Sequence, residues 1–126
     1  MLNKKRILIV DDEADILSVL RILLTKNKFE VLEASSANAA LDLLENESVD
    51  LVISDIVMPG MNGREFIKEV RQWDMELPVI FISGKDNISK KDLGNTSAFI
   101  EKPFSKDTLL KTIHKVLSSV AAPSFN

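Results

Sequence analysis

Asp55 closes the apolar run LVIS of residues 51–54, and beyond it Pro59, Gly60, Asn62 and Gly63 break any regular element. A carboxylate at the end of a buried strand needs a partner, because leaving water disfavours its charged form. Two further acids, Asp11 and Asp12, close the run ILIV of residues 7–10. Ser83 and Gly84 close VIFI (79–82), and AFIE (98–101) leads into Lys102 and Pro103. If these runs are strands of one parallel sheet, their C-terminal ends share an edge, and ligands of open α/β sheets bind at that edge. Three carboxylates, one hydroxyl and one ammonium then converge from four strands.

Such a cluster calls for a cation. Two carboxylates about 4 Å apart repel by roughly 4 kcal/mol at an effective dielectric of about 20. One lysine cannot neutralise three of them, whereas a hard divalent ion can. A donor set made only of oxygen favours Mg2+, which keeps several of its waters. A carboxylate beside a metal-held phosphoryl donor can act as nucleophile, with Lys102 and the Ser83 hydroxyl taking the transferred oxygens. The resulting aspartyl phosphate is labile to water, which suits a switch better than a store. Singly, each residue has a plainer role: Asp11 or Asp12 as an N-cap for a helix from Ala14, Asp55 as the start of an Asx-type turn, Lys102 as a solvated charge. Their convergence on one edge is what favours chemistry.

The elements that would position these residues alternate along the chain. ILIV, LVIS and VIFI are apolar on both faces, as in strands buried on both sides, and EVLEA (30–34) and AFIE are weaker strand candidates. Between them Ile16, Leu17, Leu20, Leu23 and Leu24 recur at helical spacing, as do Ala39, Ala40, Leu43 and Leu44. Phe66, Ile67 and Val70 repeat the pattern, and Leu109, Leu110, Ile113, Val116 and Leu117 end it. Asn62 and Ser105 stand where helix N-caps are expected. The order is β-α five times over, which argues for a parallel sheet with helices on both faces. Residues 1–119 form the expected domain, and 120–126 read as a tail or the start of a linker.

Composition excludes several function classes. The 126 residues are 45% apolar and 28% charged, with a formal net charge of −3 and no cysteine. No basic field is present to attract nucleic acid or an anionic membrane. Disulfides, thiol catalysis and cysteine metal sites are ruled out, and a cytoplasmic location is expected. The N-terminal apolar run is too short for a signal peptide, and no run reaches membrane-spanning length.

ILIVDDE, LVISDIVMPGMNG, VIFISG and FIEKPF, in this order and spacing, resemble the receiver domain of two-component response regulators. The likeness covers roughly residues 5 to 119. It implies a three-layer α/β/α, flavodoxin-like (βα)5 fold with strand order 2-1-3-4-5. It further implies that Asp55 accepts a phosphoryl group from a sensor histidine kinase or phosphotransfer protein, with Mg2+ as cofactor. Asp12 would be a direct ligand of the ion, Asp11 a ligand acting largely through water, and the Val57 backbone carbonyl a further ligand. Ser83 and Phe99 take the places of the family's switch pair, Lys102 that of its phosphate-contacting lysine, and the Lys102–Pro103 bond would be cis. Readout would run through residues 84–119, toward a downstream protein or an output domain missing from this chain. The resemblance implies a phosphoacceptor signalling domain rather than an enzyme, with only Mg2+-assisted self-phosphorylation and slow self-dephosphorylation of its own.

The sequence also departs from the family. The stretch from Ser83 to Lys102 is about one helical turn shorter than usual, and Asn95-Thr96 stands where a Gly-Ala pair is normal. Only Ile88 and Leu93 mark a helical face there, so the fourth helix is expected to be short, shifted or partly loop. Three competing readings fit less well. A haloacid-dehalogenase-type hydrolase wants an acid where Val57 stands. A dinucleotide-binding domain wants a Gly-rich loop after ILIVDD. An interaction module that is never phosphorylated would have little use for the full acid set.

Overall fold

Branched aliphatic residues buried on both faces build the strands, and each helix is laid against them by one apolar stripe. The structure, a computed structural model, describes residues 4–58, 60–72, 74–84 and 98–121. Its elements are β1 (Arg6–Val10), α1 (Ala14–Lys26), β2 (Glu30–Ala34), α2 (Ala37–Asn46) and β3 (Leu51–Asp55). They continue with α3 (Gly63–Arg71), β4 (Val79–Ser83), β5 (Ala98–Glu101) and α4 (Lys106–Ala121). The strands pair in parallel in the order β2-β1-β3-β4-β5. This is the three-layer flavodoxin-like arrangement the sequence implied. The expected fourth helix falls on residues 85–97, with Ile88, Leu93, Asn95 and Thr96, and lies outside the described residues, as do Pro59, Trp73 and the tail 122–126. The last helix of the sequence reading is α4, which continues through Ala121.

Alternation along each strand sorts the core into two layers. Ile7, Ile9, Leu51, Ile53, Ile80 and Ile82 face Leu17, Leu20 and Leu24 of α1 and Leu109, Ile113 and Val116 of α4. Leu8, Val10, Val52, Val79 and Phe81 face Ala37, Ala40 and Leu44 of α2 and Phe66, Ile67 and Val70 of α3. Full burial of a side chain such as Phe66 or Phe81 contributes about 1.5–3 kcal/mol. The first residue of α3 must be small. A Cβ on Gly63 would stand 2.9 Å from Phe81 Cε1 and 3.0 Å from Ile56 Cα. The helix N-terminus therefore rests directly on the ends of β3 and β4.

Polar caps fix where helices begin. Asn62 Oδ1 accepts the Glu65 N–H at 2.9 Å while Glu65 Oε1 accepts the Asn62 N–H at 3.0 Å, a reciprocal capping box that starts α3. Ser105 Oγ accepts from Thr108 N and Ser36 Oγ from Ala39 N, starting α4 and α2. At the edge opposite the strand C-termini, Arg6 reaches the Glu47 carboxylate and the Ser48 carbonyl, each at 2.9 Å, and pairs with Glu30 at 3.3 Å. One guanidinium thus ties the start of β1 to the start of β2 and to the α2–β3 turn.

The end of α1 carries a conformational cost. Phe29 N–H donates to Leu24 O and Lys28 N–H to Thr25 O, the two bonds of a Schellman motif. Leu24 and Phe29 are both buried and complete its apolar contact. The motif puts Lys28 in the left-handed region, at φ 71°, where a glycine carries no Cβ penalty. Lys28→Gly is expected to stabilise the fold by about 1 kcal/mol, seen as a higher urea midpoint at unchanged slope.

Candidate functional site

Register decides which side chains meet. Val10 pairs with Ser54, Asp55 with Ile82 and Ser83 with Glu101, so Asp11, Asp55, Ser83 and Lys102 all sit at one edge of the sheet. Asp11, Asp12 and Asp55 each bring a carboxylate oxygen within 4.8 Å of the others. Lys102 Nζ lies 3.5 Å from Asp55 Oδ2 and 3.9 Å from Asp11 Oδ2. Both distances exceed the ~2.7–2.9 Å of a tight charge-assisted bond, so the ammonium faces the two acids without docking on either. Its backbone is anchored: Lys102 N–H donates to Ser83 O at 2.6 Å, and the Lys102–Pro103 peptide is cis.

The acids are also held locally. Asp11 Oδ1 accepts the Glu13 N–H at 2.9 Å, and Asp55 Oδ1 accepts the Val57 N–H at 3.3 Å. Each is an Asx-type contact two residues on, so the turn role of Asp55 coexists with the cluster, whereas neither Asp11 nor Asp12 is the N-cap of α1. The N-cap position of α1 is occupied by Glu13, whose side chain makes no cap bond. Below Asp55, the Ser54 hydroxyl donates to the Asp55 carbonyl at 2.9 Å. Past it, Gly63 N–H donates to Ile56 O at 2.7 Å and Gly60 turns the loop with a φ of 86°. Val57 projects its side chain outward, 56% exposed, while Met58 is buried.

The electrostatics are those of an acid cluster partly withdrawn from water. Asp11 is 3% exposed and Asp55 8%, whereas Asp12 is exposed. Burial raises the Asp11 pKa above the usual carboxylate range, and the neighbouring charges of Asp55 and Asp12 raise it further. The Glu13 N–H and Lys102 oppose this without cancelling it. Oxygen donors gathered this closely, with one member open to solvent, fit a hard divalent cation that keeps part of its water shell.

Asp11, Asp12, Asp55 and Lys102 are thus brought together as the sequence suggested. Ser83, fully buried, ends β4 and holds Lys102 through its carbonyl. Phe99 lies apart from the acids, half-buried against the core layer on the α2/α3 face. His114 is exposed on α4, but its ring packs 5.9 Å from that of Phe29. Ser54 escaped the sequence reading; its only signal was a hydroxyl inside an otherwise apolar run.

Comparison with known proteins agrees with this geometry. Residues 7–114 match the response regulator receiver domain. The chain is 34% identical over 125 residues to the alkaline phosphatase synthesis transcriptional regulatory protein of Bacillus subtilis, covering 95% of this chain and 52% of that protein. It thus spans about half the length of that curated relative. A receiver domain protein from Methanospirillum hungatei superposes with a TM-score of 0.87 at 30% identity, over 94% of this chain and 97% of that one. A chemotaxis response regulator of Vibrio cholerae gives 0.82 at 30% identity, over 90% and 99%.

The raised Asp11 pKa has a stability consequence with a definite sign. Below the unfolded-state value both states are protonated, and the crowding has no effect. As pH rises through the raised folded-state value, the folded protein must ionise a buried acid and loses stability. Without divalent ions, Asp11→Asn should therefore melt a few degrees above wild type at neutral pH, about the shift given by 1 kcal/mol, and the gap should close in acid. Calorimetry across pH checks this.

Proposed function

The chain belongs to the response regulator receiver domain family, and we propose that Asp55 is its phosphoacceptor in a phosphorylation-driven signalling switch. The observation that carries this reading is the placement of Asp55 within reach of Lys102 and of two further acids. An Asp55 carboxylate oxygen attacks the phosphorus of a phosphohistidine on a sensor histidine kinase or phosphotransfer protein. The P–N bond breaks, the imidazole nitrogen keeps the electron pair, and Asp55 becomes a mixed anhydride. Lys102 offers its ammonium to one transferred oxygen, and the Ser83 hydroxyl to another. Asp11, Asp12, Asp55 and the Val57 carbonyl would hold Mg2+, which when bound offsets the negative charge gathering on the phosphoryl oxygens.

The new dianion changes what the edge can bind. The Ser83 hydroxyl drawn toward it, with Phe99 on β5, provides the route by which residues 84–119 report the state. Of these, 85–97 lie outside the described residues. Among the described residues no helix is long and apolar enough to cross a membrane, the cysteine-free chain fits a reducing cytoplasm, and the acidic net charge offers no attraction for nucleic acid. Since the matched relative extends well beyond the region shared with this chain, a downstream protein or an output domain is the natural recipient of the signal.

Incubation with Mg2+ and acetyl phosphate, followed by intact mass, should show one added phosphoryl group. Asp55→Asn should abolish it, and a chelator should reduce it to background. Labelling of Asp55→Asn at the wild-type rate would rule the site out. Millimolar Mg2+ alone should raise the melting temperature of the wild type, since an ion bound only by the folded state stabilises by about 2.7 kcal/mol at a hundredfold excess over its dissociation constant. Asp12→Asn should remove most of that increment.

A further inference from the structure

We propose that Ser54 is a positioning residue for the Asp55 site, holding the backbone from Asp55 to Val57 in the orientation the chemistry uses. The proposal rests on the reading of Asp55 as phosphoacceptor. In a pleated strand, carbonyls lie in the sheet plane and point to neighbouring strands, while side chains stand perpendicular to it. A Ser hydroxyl can meet the carbonyl of the next residue only where that carbonyl has turned out of the plane. Ser54 Oγ makes this contact with Asp55 O at 2.9 Å.

The reason lies in the register. The last β1–β3 pair is Val10 with Ser54, so Asp55 stands one residue beyond the ladder. The next residue of β1's course, Asp11, sends its N–H to Ala34 O on β2. At that point the hydroxyl of Ser54, itself completely buried, gives the Asp55 carbonyl a donor. The same peptide unit leads to Ile56, whose N–H still reaches Ile82 O, and then to Val57, whose N–H holds Asp55 Oδ1. Fixing one carbonyl therefore fixes both the carboxylate and the residue expected to offer a carbonyl to the metal. Small misplacements at such a site reduce rates far more than they reduce stability.

Ser54→Ala keeps the fold and removes the hydroxyl, while Ser54→Thr keeps a hydroxyl at the same atom. In amide exchange without any phosphodonor, the Val57 amide should exchange about tenfold faster in Ser54→Ala, with the amides of β1 and β4 unchanged. With saturating Mg2+ and acetyl phosphate, phosphorylation of Ser54→Ala should slow by about tenfold, and Ser54→Thr should recover most of both effects. Val57 exchange equal to wild type would overturn the proposal. So would faster exchange throughout the sheet, which marks a role in stability alone. An unreactive wild type would sink the phosphoacceptor reading itself. A reactive wild type matched in rate by Ser54→Ala would remove only the role of Ser54.

Discussion

Like charge held together against its own repulsion is the constraint around which this protein is built. Asp11, Asp12 and Asp55 would separate if the chain allowed it, and the parallel sheet does not. β1 and β3 are central strands, buried on both faces and paired on both edges, so their ends cannot drift apart without breaking the ladder. The repulsion is stored in a rigid frame. Oxygen donors held this close would favour a hard cation that offsets their repulsion.

The frame divides its labour between the two ends of the strands. At the N-terminal edge opposite charges are matched: Arg6 against Glu30 and Glu47, with the Arg6 N–H on Asp50. The turn from α3 to β4 is closed similarly, with Arg71 Nη1 on the carbonyls of Asp74 and Leu77. At the C-terminal edge, among the described residues, three acids meet one ammonium, and negative charge is left over. The end whose charges are matched secures the fold, while the acids at the other end fit a cation.

Much of this was legible in the chain. ILIV, LVIS and VIFI became β1, β3 and β4 because a run apolar on both faces has few other places to go, and the Asn62 and Ser105 caps fell where their side chains predicted. The acids and Lys102 were legible because burial makes an unexplained charge conspicuous. Ser54 and Arg6 were not, for opposite reasons. A serine in a strand is common enough to pass unnoticed until its hydroxyl is seen to meet the carbonyl of the next residue. Arg6 reads as part of a basic N-terminal run, and nothing local announces that Glu30, Glu47 and Ser48 come back to it from distant positions. The contact of His114 with Phe29 is equally silent in the sequence, since Phe29 reaches it from beyond the end of α1.

Gly63 touches both halves of the site's support. A Cβ added there would meet Ile56, the residue directly after Asp55, and the ring of Phe81, two positions before Ser83. A single methyl group there would act as a wedge between the acceptor strand and its neighbour, lifting α3 and spreading the two strand ends. Side-chain volume at position 63 is thus a mechanical setting for the spacing of Asp55 and Ser83. Val57, by contrast, points outward and meets no such limit of space, while any side chain at the first position of α3 must push Phe81 or Ile56 aside.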